Sequence, residues 1–159
     1  MTAKRATPKK KATVSPHSPS EIATGVFVGS WNDAVSFRGK RYCVLDELPA
    51  DAPADEGLTI YDEARAAPIR ANLDRLAGLI DRARKNGDPV LVFCGHGIRR
   101  SPLGGAWYLH RSEGISLEEA YARIRAVRPK VEEAKDWIEH TEALSEPSAA
   151  RGGGREPLR

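Results

Sequence analysis

The sequence has 159 residues, 40% of them apolar and 30% charged, which fits one domain with tails and leaves no room for two separate cores. Its net charge of +3 comes from its ends: residues 1–20 hold five Lys or Arg and no acid, residues 145–159 hold three Arg and two Glu, and residues 21–144 hold 17 basic against 20 acidic side chains. A basic nucleic-acid surface on the folded part is therefore not indicated, no apolar run approaches the roughly 20 residues that span a bilayer, and two cysteines are too few for a disulfide framework or a four-thiolate zinc site.

Residues 1–20 place Pro8, Pro16 and Pro19 among Lys, Ser and Thr, a composition that cannot repay the entropy of ordering. A disordered basic tail is expected there, able at most to make a weak contact with an acidic partner. No apolar stretch of the secretory type follows its basic start, so a cytoplasmic protein is expected. Residues 21–144 form the expected domain. Residues 145–159, which include Gly152-Gly153-Gly154, form a second disordered tail.

Within the domain, Val26-Phe27-Val28 and Tyr42-Cys43-Val44-Leu45 are short β-prone runs, and Leu58-Thr59-Ile60-Tyr61 is a third. Ile69, Leu73, Leu76 and Ile80 recur at helical spacing, and Asn86-Gly87 ends that helix. Val90-Leu91-Val92-Phe93 is the most strand-like segment of the chain and delivers Cys94 at its carboxyl end. Ser101-Pro102 reads as the start of a second helix, with Ser as N-cap and Pro at the first helical position. Ser116-Leu117-Glu118-Glu119 matches a capping box that opens a third helix, which must stop before Pro129. A last helix is expected through Trp137, Ile138 and Leu144. Strands alternating with helices predict an α/β fold, a single domain with a central mostly parallel sheet flanked by helices.

The segment that carries chemistry is residues 90–102, VLVFCGHGIRRSP. A buried strand, a Gly-rich turn and a capped helix make an anion trap, because the turn's N–H groups can converge and a helix start adds about half a positive charge. Gly95 and Gly97 give the turn its conformational freedom. The same field favours a thiolate at Cys94. Arg100, separated from the cysteine by five residues that include His96, Ile98 and Arg99, is placed to bring a guanidinium fork back over a bound phosphate.

Cys94, Gly97, Arg100 and Ser101 resemble the Cys-x5-Arg-Ser loop of the protein tyrosine phosphatases, and Ser101-Pro102 resembles the dual-specificity branch. Residues 22–31, IATGVFVGSW, resemble the strand that opens those domains, and Val127-Arg128-Pro129 resembles a segment near their end. The resemblance implies a cofactor-free, metal-free phosphatase acting on a phosphorylated protein or another phosphomonoester. It implies Cys94 as nucleophile, Arg100 and the loop amides of residues 95–100 as phosphate ligands, and Ser101 as the group easing departure of the sulfur. Asp62, 32 residues before the cysteine, is implied as general acid, with Glu63 beside it as the less favoured choice.

The sequence departs from that pattern in two places. Phe93 stands where the family usually has a histidine that orders the loop, and Glu133-Ala134 stands where relatives often have Pro-Asn. Arg99 beside His96 suits a substrate with extra negative charge, and a surface salt bridge accounts for it equally well. Cys43 reads as a small buried hydrophobe, with a redox partnership to Cys94 as the alternative. Because Arg99 and Arg100 are adjacent, the turn also resembles the Cys-x4-Arg loop of rhodanese sulfurtransferases; Asp62, the opening segment and the Arg-Ser-Pro continuation favour the phosphatase. A phosphate-binding module without turnover is the third reading.

Overall fold

A computed structural model of the protein describes residues 18–60, 66–134 and 136–138. Five strands, β1 (Ser20–Ala23), β2 (Val26–Ser30), β3 (Lys40–Leu45), β4 (Glu56–Thr59) and β5 (Val90–Cys94), form one sheet in the order β1-β2-β5-β3-β4. Only β1 runs antiparallel to its neighbour, so the sheet is mostly parallel as expected.

Its central strand is β5, flanked by β2 and β3 and buried along its whole length. Alternation splits its side chains. Val90, Val92 and Cys94 enter the larger core, whereas Leu91 and Phe93 enter a smaller one with Ala34 and Cys43. The larger core lies under α2 (Ala66–Lys85), α3 (Arg100–Glu113) and α4 (Leu117–Val127). On α2 the stripe of Ile69, Leu73, Leu76 and Ile80 is fully buried, as its spacing requires. The smaller core is covered by α1 (Trp31–Ser36) and by Ala52 and Ala54 of the β3–β4 connection.

Helix α3 lies close on the sheet because it carries a glycine pair. A Cβ at Gly104 would come within 2.7 Å of the Leu76 side chain, and one at Gly105 within 2.8 Å of Ile22 and Val28. The pair lets α3 pack closely against α2 and against β1 and β2. The expected helix start shifts here. Helix α3 begins at Arg100 with Arg99 as a cap residue whose side chain makes no capping bond, and Ser101 is spent elsewhere. Helix α4 starts where expected with Ser116 as N-cap, its hydroxyl accepting from the Glu119 N–H, which is the serine half of the expected capping box. Of the expected last helix, residues 136–138 are helical and Leu144 lies outside the described residues.

Two elements were not anticipated. Strand β1 has four residues, and α1 has six. The latter is held by a capping box in which the Ser30 N–H donates to Asp33 Oδ2 at 2.8 Å and the Asp33 N–H donates to Ser30 Oγ at 3.3 Å. Ser18 and Ser20, assigned by the sequence to the tail, are held against the domain by Arg128. Among the described residues no helix is long and apolar enough to cross a membrane.

Candidate active site

Cys94 ends β5 beside Ser30, the last residue of β2, and the chain turns through residues 95–99 into α3. The four carbonyls that follow the cysteine are each held from outside the turn. Gly95 O accepts from the Trp31 N–H at 3.2 Å and Ile98 O from the Glu132 N–H at 2.8 Å. Arg128 takes the other two, through Nε to Gly97 O at 2.7 Å and, more loosely, through Nη2 to His96 O at 3.4 Å. In a trans peptide the C=O and the following N–H point in opposite directions, so carbonyls held outward turn the amides of residues 96–99 inward.

Gly97 is what permits the closest part of this turn. Its φ is +71°, and a Cβ there would lie 2.7 Å from the Gly29 carbonyl and 2.5 Å from Arg128 Nη2. Cys94, at 5% exposed, forms the floor of a cleft of about 360 Å³ that Leu45, His96, Ile98, Arg99, Arg100 and Glu132 also line. Its sulfur accepts the Ser101 N–H at 3.3 Å. The thiol donates to the Ser101 oxygen at 3.3 Å, and the Ser101 hydroxyl donates onward to Gly29 O at 3.0 Å. These bonds explain why Ser101 does not cap α3: its hydroxyl is committed to the sulfur and to β2.

Arg100 faces the same cleft and is held in it from three sides. Nε donates to Ile60 O at 2.8 Å, Nη2 lies 3.7 Å from Asp46 Oδ2, and the guanidinium sits 5.4 Å from the centre of the Trp137 ring. Arg99 is exposed at the rim, where it pairs with Glu132 and reaches the same indole at 5.9 Å. His96 is exposed. Asp62 and Glu63, the expected acid and its neighbour, lie outside the described residues.

Sequence reasoning missed Arg128 as a functional residue. It is 3% exposed, bonds to Ser18 O, Ser20 Oγ and two loop carbonyls, and has the charges of Asp33 and Cys94 near it. Burial pulls its pKa down, and Asp33 and then Cys94 push it back up. Asp46, Glu132 and the Trp31 N–H were likewise not singled out.

Phe93 points away from Cys94, to the opposite face of the sheet, and packs edge-on against Trp31 with ring centres 6.0 Å apart. It thus braces the residue whose N–H holds Gly95 O. At the second departure, the Ala134 N–H donates to Tyr121 Oη at 3.1 Å, so the segment is anchored through main chain and needs no asparagine. Cys43 lies on the Phe93 side of the sheet, fully buried, and its thiol is pushed up to about 11 by burial and then by the Cys94 sulfur. The two cysteines enter different cores, which leaves Cys43 as packing. Among the described residues no three His, Cys, Asp or Glu side chains are grouped to hold a metal ion.

The sequence profile described as "Dual specificity phosphatase, catalytic domain" matches residues 51–144, more than half of the chain. The chain belongs to the dual specificity phosphatase family. Rat "Dual specificity protein phosphatase 12" is 32% identical over 151 residues, covering 81% of this chain and 43% of the rat protein. Human "Dual specificity phosphatase 28" is 26% identical over 135 residues, covering 77% of this chain and 76% of the human one. The chain therefore spans less than half the length of the rat relative. The crystal structure of human DUSP28 superposes with a TM-score of 0.63 at 24% identity, over 82% of this chain and 95% of that one, which shows the shared fold. The family is one of phosphoester hydrolases, and sulfur transfer is not favoured.

Proposed function

We propose that this dual specificity phosphatase domain hydrolyses phosphomonoesters, phosphotyrosine and also phosphoserine or phosphothreonine in proteins, through a phosphocysteine on Cys94. The single observation that carries this reading is the outward restraint of four successive loop carbonyls above a cleft with the Cys94 sulfur at its floor. Inward amides and the start of α3 offer a phosphate dianion a ready-made site, leaving little reorganisation for the moment of reaction.

The Cys94 thiolate attacks phosphorus in line, forming the S–P bond while the P–O bond to the leaving group breaks. Asp62, as carboxylic acid, gives the departing oxygen its proton. Arg100, leaving Asp46, and the amides of residues 95–100 bear the charge on the equatorial oxygens. Water then attacks phosphorus, Asp62 takes its proton, and the S–P bond breaks as the Ser101 hydroxyl turns to the returning thiolate. No redox partner or metal enters this sequence.

We infer a reducing, cytoplasmic setting, a reading that the free thiols of Cys43 and Cys94 support. The basic residues before the domain are assigned at most a weak contact with an acidic partner. Assaying p-nitrophenyl phosphate and thiosulfate side by side tests the reading. Release of p-nitrophenolate without thiocyanate formation from thiosulfate and cyanide is expected; the reverse overturns it.

A further inference from the structure

The two arginines at the mouth of the cleft are each matched by a carboxylate. Arg100 faces Asp46, and Arg99 pairs with Glu132. Arg99 and Glu132 both line the cleft that Cys94 floors, so whatever binds at the sulfur meets both charges.

Helix stability does not explain the arginine. Arg99 is the cap residue of α3, where Ser, Thr, Asp or Asn would satisfy a free N–H and where a cation opposes the helix dipole. Its side chain makes no capping bond and instead spans from the Trp137 ring to Glu132. Glu132 is positioned firmly for this, because its own N–H is bonded to Ile98 O of the loop at 2.8 Å. Among the described residues each arginine of the rim thus has a carboxylate partner, and Arg100, the loop amides and the helix start are directed at the phosphate that meets the sulfur.

We propose that Glu132 is a specificity-determining residue: by neutralising Arg99 it biases the cleft toward singly phosphorylated esters. The inference rests on the reading of this cleft as a phosphate site. A second phosphate on the substrate would have to displace the Glu132 carboxylate from Arg99 and lie beside it. An exposed ion pair is weak, so the discrimination is a matter of severalfold and is sensitive to salt.

The test compares phenyl phosphate with 1,3-phenylene bisphosphate, which carries two phosphates on the same ring. Binding to the Cys94→Ser protein is read by calorimetry at low salt, as the ratio of the two dissociation constants. Adding Glu132→Gln is expected to move the ratio about fivefold toward the bisphosphate. Adding Arg99→Gln instead leaves Glu132 uncompensated and is expected to move it the other way. A ratio that neither substitution moves, or that both move in the same direction, overturns the proposal. Failure of both compounds to bind overturns it together with the phosphate-site reading. Opposite shifts combined with an unmutated protein that does not hydrolyse phenyl phosphate would retain the selectivity and remove only the hydrolysis.

Discussion

Arg128 Nε donates to the Gly97 carbonyl oxygen at 2.7 Å from a position 31 residues downstream, with its guanidinium buried behind the loop. One cation therefore links the end of α4 to β1 and the turn after Cys94. Its removal leaves the loop carbonyls and Asp33 without their counter-charge in the interior. Arg128→Met is expected to cost about 3–5 kcal/mol of stability in denaturant titration, the range for breaking a buried charge arrangement. Its turnover of p-nitrophenyl phosphate should fall by at least about a hundredfold, because the amides lose their aim. Unchanged turnover would mean the loop holds its shape without this cation.

Glycine at position 97 is a demand of the loop, whereas glycine at 95 is not. A Cβ at 97 meets the Gly29 carbonyl at 2.7 Å on a backbone with φ of +71°, and one at 95 meets nothing within 4 Å. Gly97→Ala should lower the melting midpoint by an amount equivalent to about 1–3 kcal/mol, whereas Gly95→Ala should stay within about 0.5 kcal/mol of the parent. Thermal unfolding of the two variants side by side checks the contrast.

The two thiols should separate by chemistry and by pH. Cys43 is fully buried, its pKa raised to about 11 by burial and then by Cys94. Iodoacetamide at neutral pH is expected to modify Cys94 alone, and Cys43 only after denaturation, read by peptide mass spectrometry. The sign of the pH effect follows from the neutral form being favoured in the folded state. Cys43 contributes its full stability below the unfolded value of about 8.5 and loses it as pH rises through about 11. Removing that thiol in Cys43→Ala should flatten the loss of stability across this alkaline window.

In the proposed mechanism Ser101 acts on the second chemical step. Its hydroxyl is 3.3 Å from the sulfur and is committed to Gly29 O while the thiol is protonated. Ser101→Ala should slow breakdown of the phosphocysteine more than its formation. Stopped-flow measurement should then show a burst of p-nitrophenolate followed by a slow steady state. A slowed first turnover with no burst would assign Ser101 to loop structure instead.

Much of the fold was legible because it rests on periodicity. The β5 run and the four-residue stripe on α2 are long enough to state their partners, and both lie where the pattern puts them. Strand β1 and helix α1 span too few residues for a period to emerge, although Ser30 and Asp33 carried a capping signal that could have revealed α1. Ser101 reads as an N-cap until the sulfur and the Gly29 carbonyl are seen to compete for it. Arg128 was hidden for a different reason: its partners are mostly backbone carbonyls, which leave no trace in side-chain identity. In the same way the outward turn of the loop is set by main-chain bonds from Trp31 and Glu132, distant in sequence and neutral in motif terms.

The central claim is that phosphate is transferred to the sulfur at the floor of the cradle. Acid quenching of the protein during steady-state turnover of p-nitrophenyl phosphate, followed by peptide mass spectrometry, tests it directly. The account predicts one phosphoryl group on the peptide containing Cys94, and neither label nor turnover in Cys94→Ser. Turnover that persists in Cys94→Ser, or a phosphoryl group found on another residue, would contradict it.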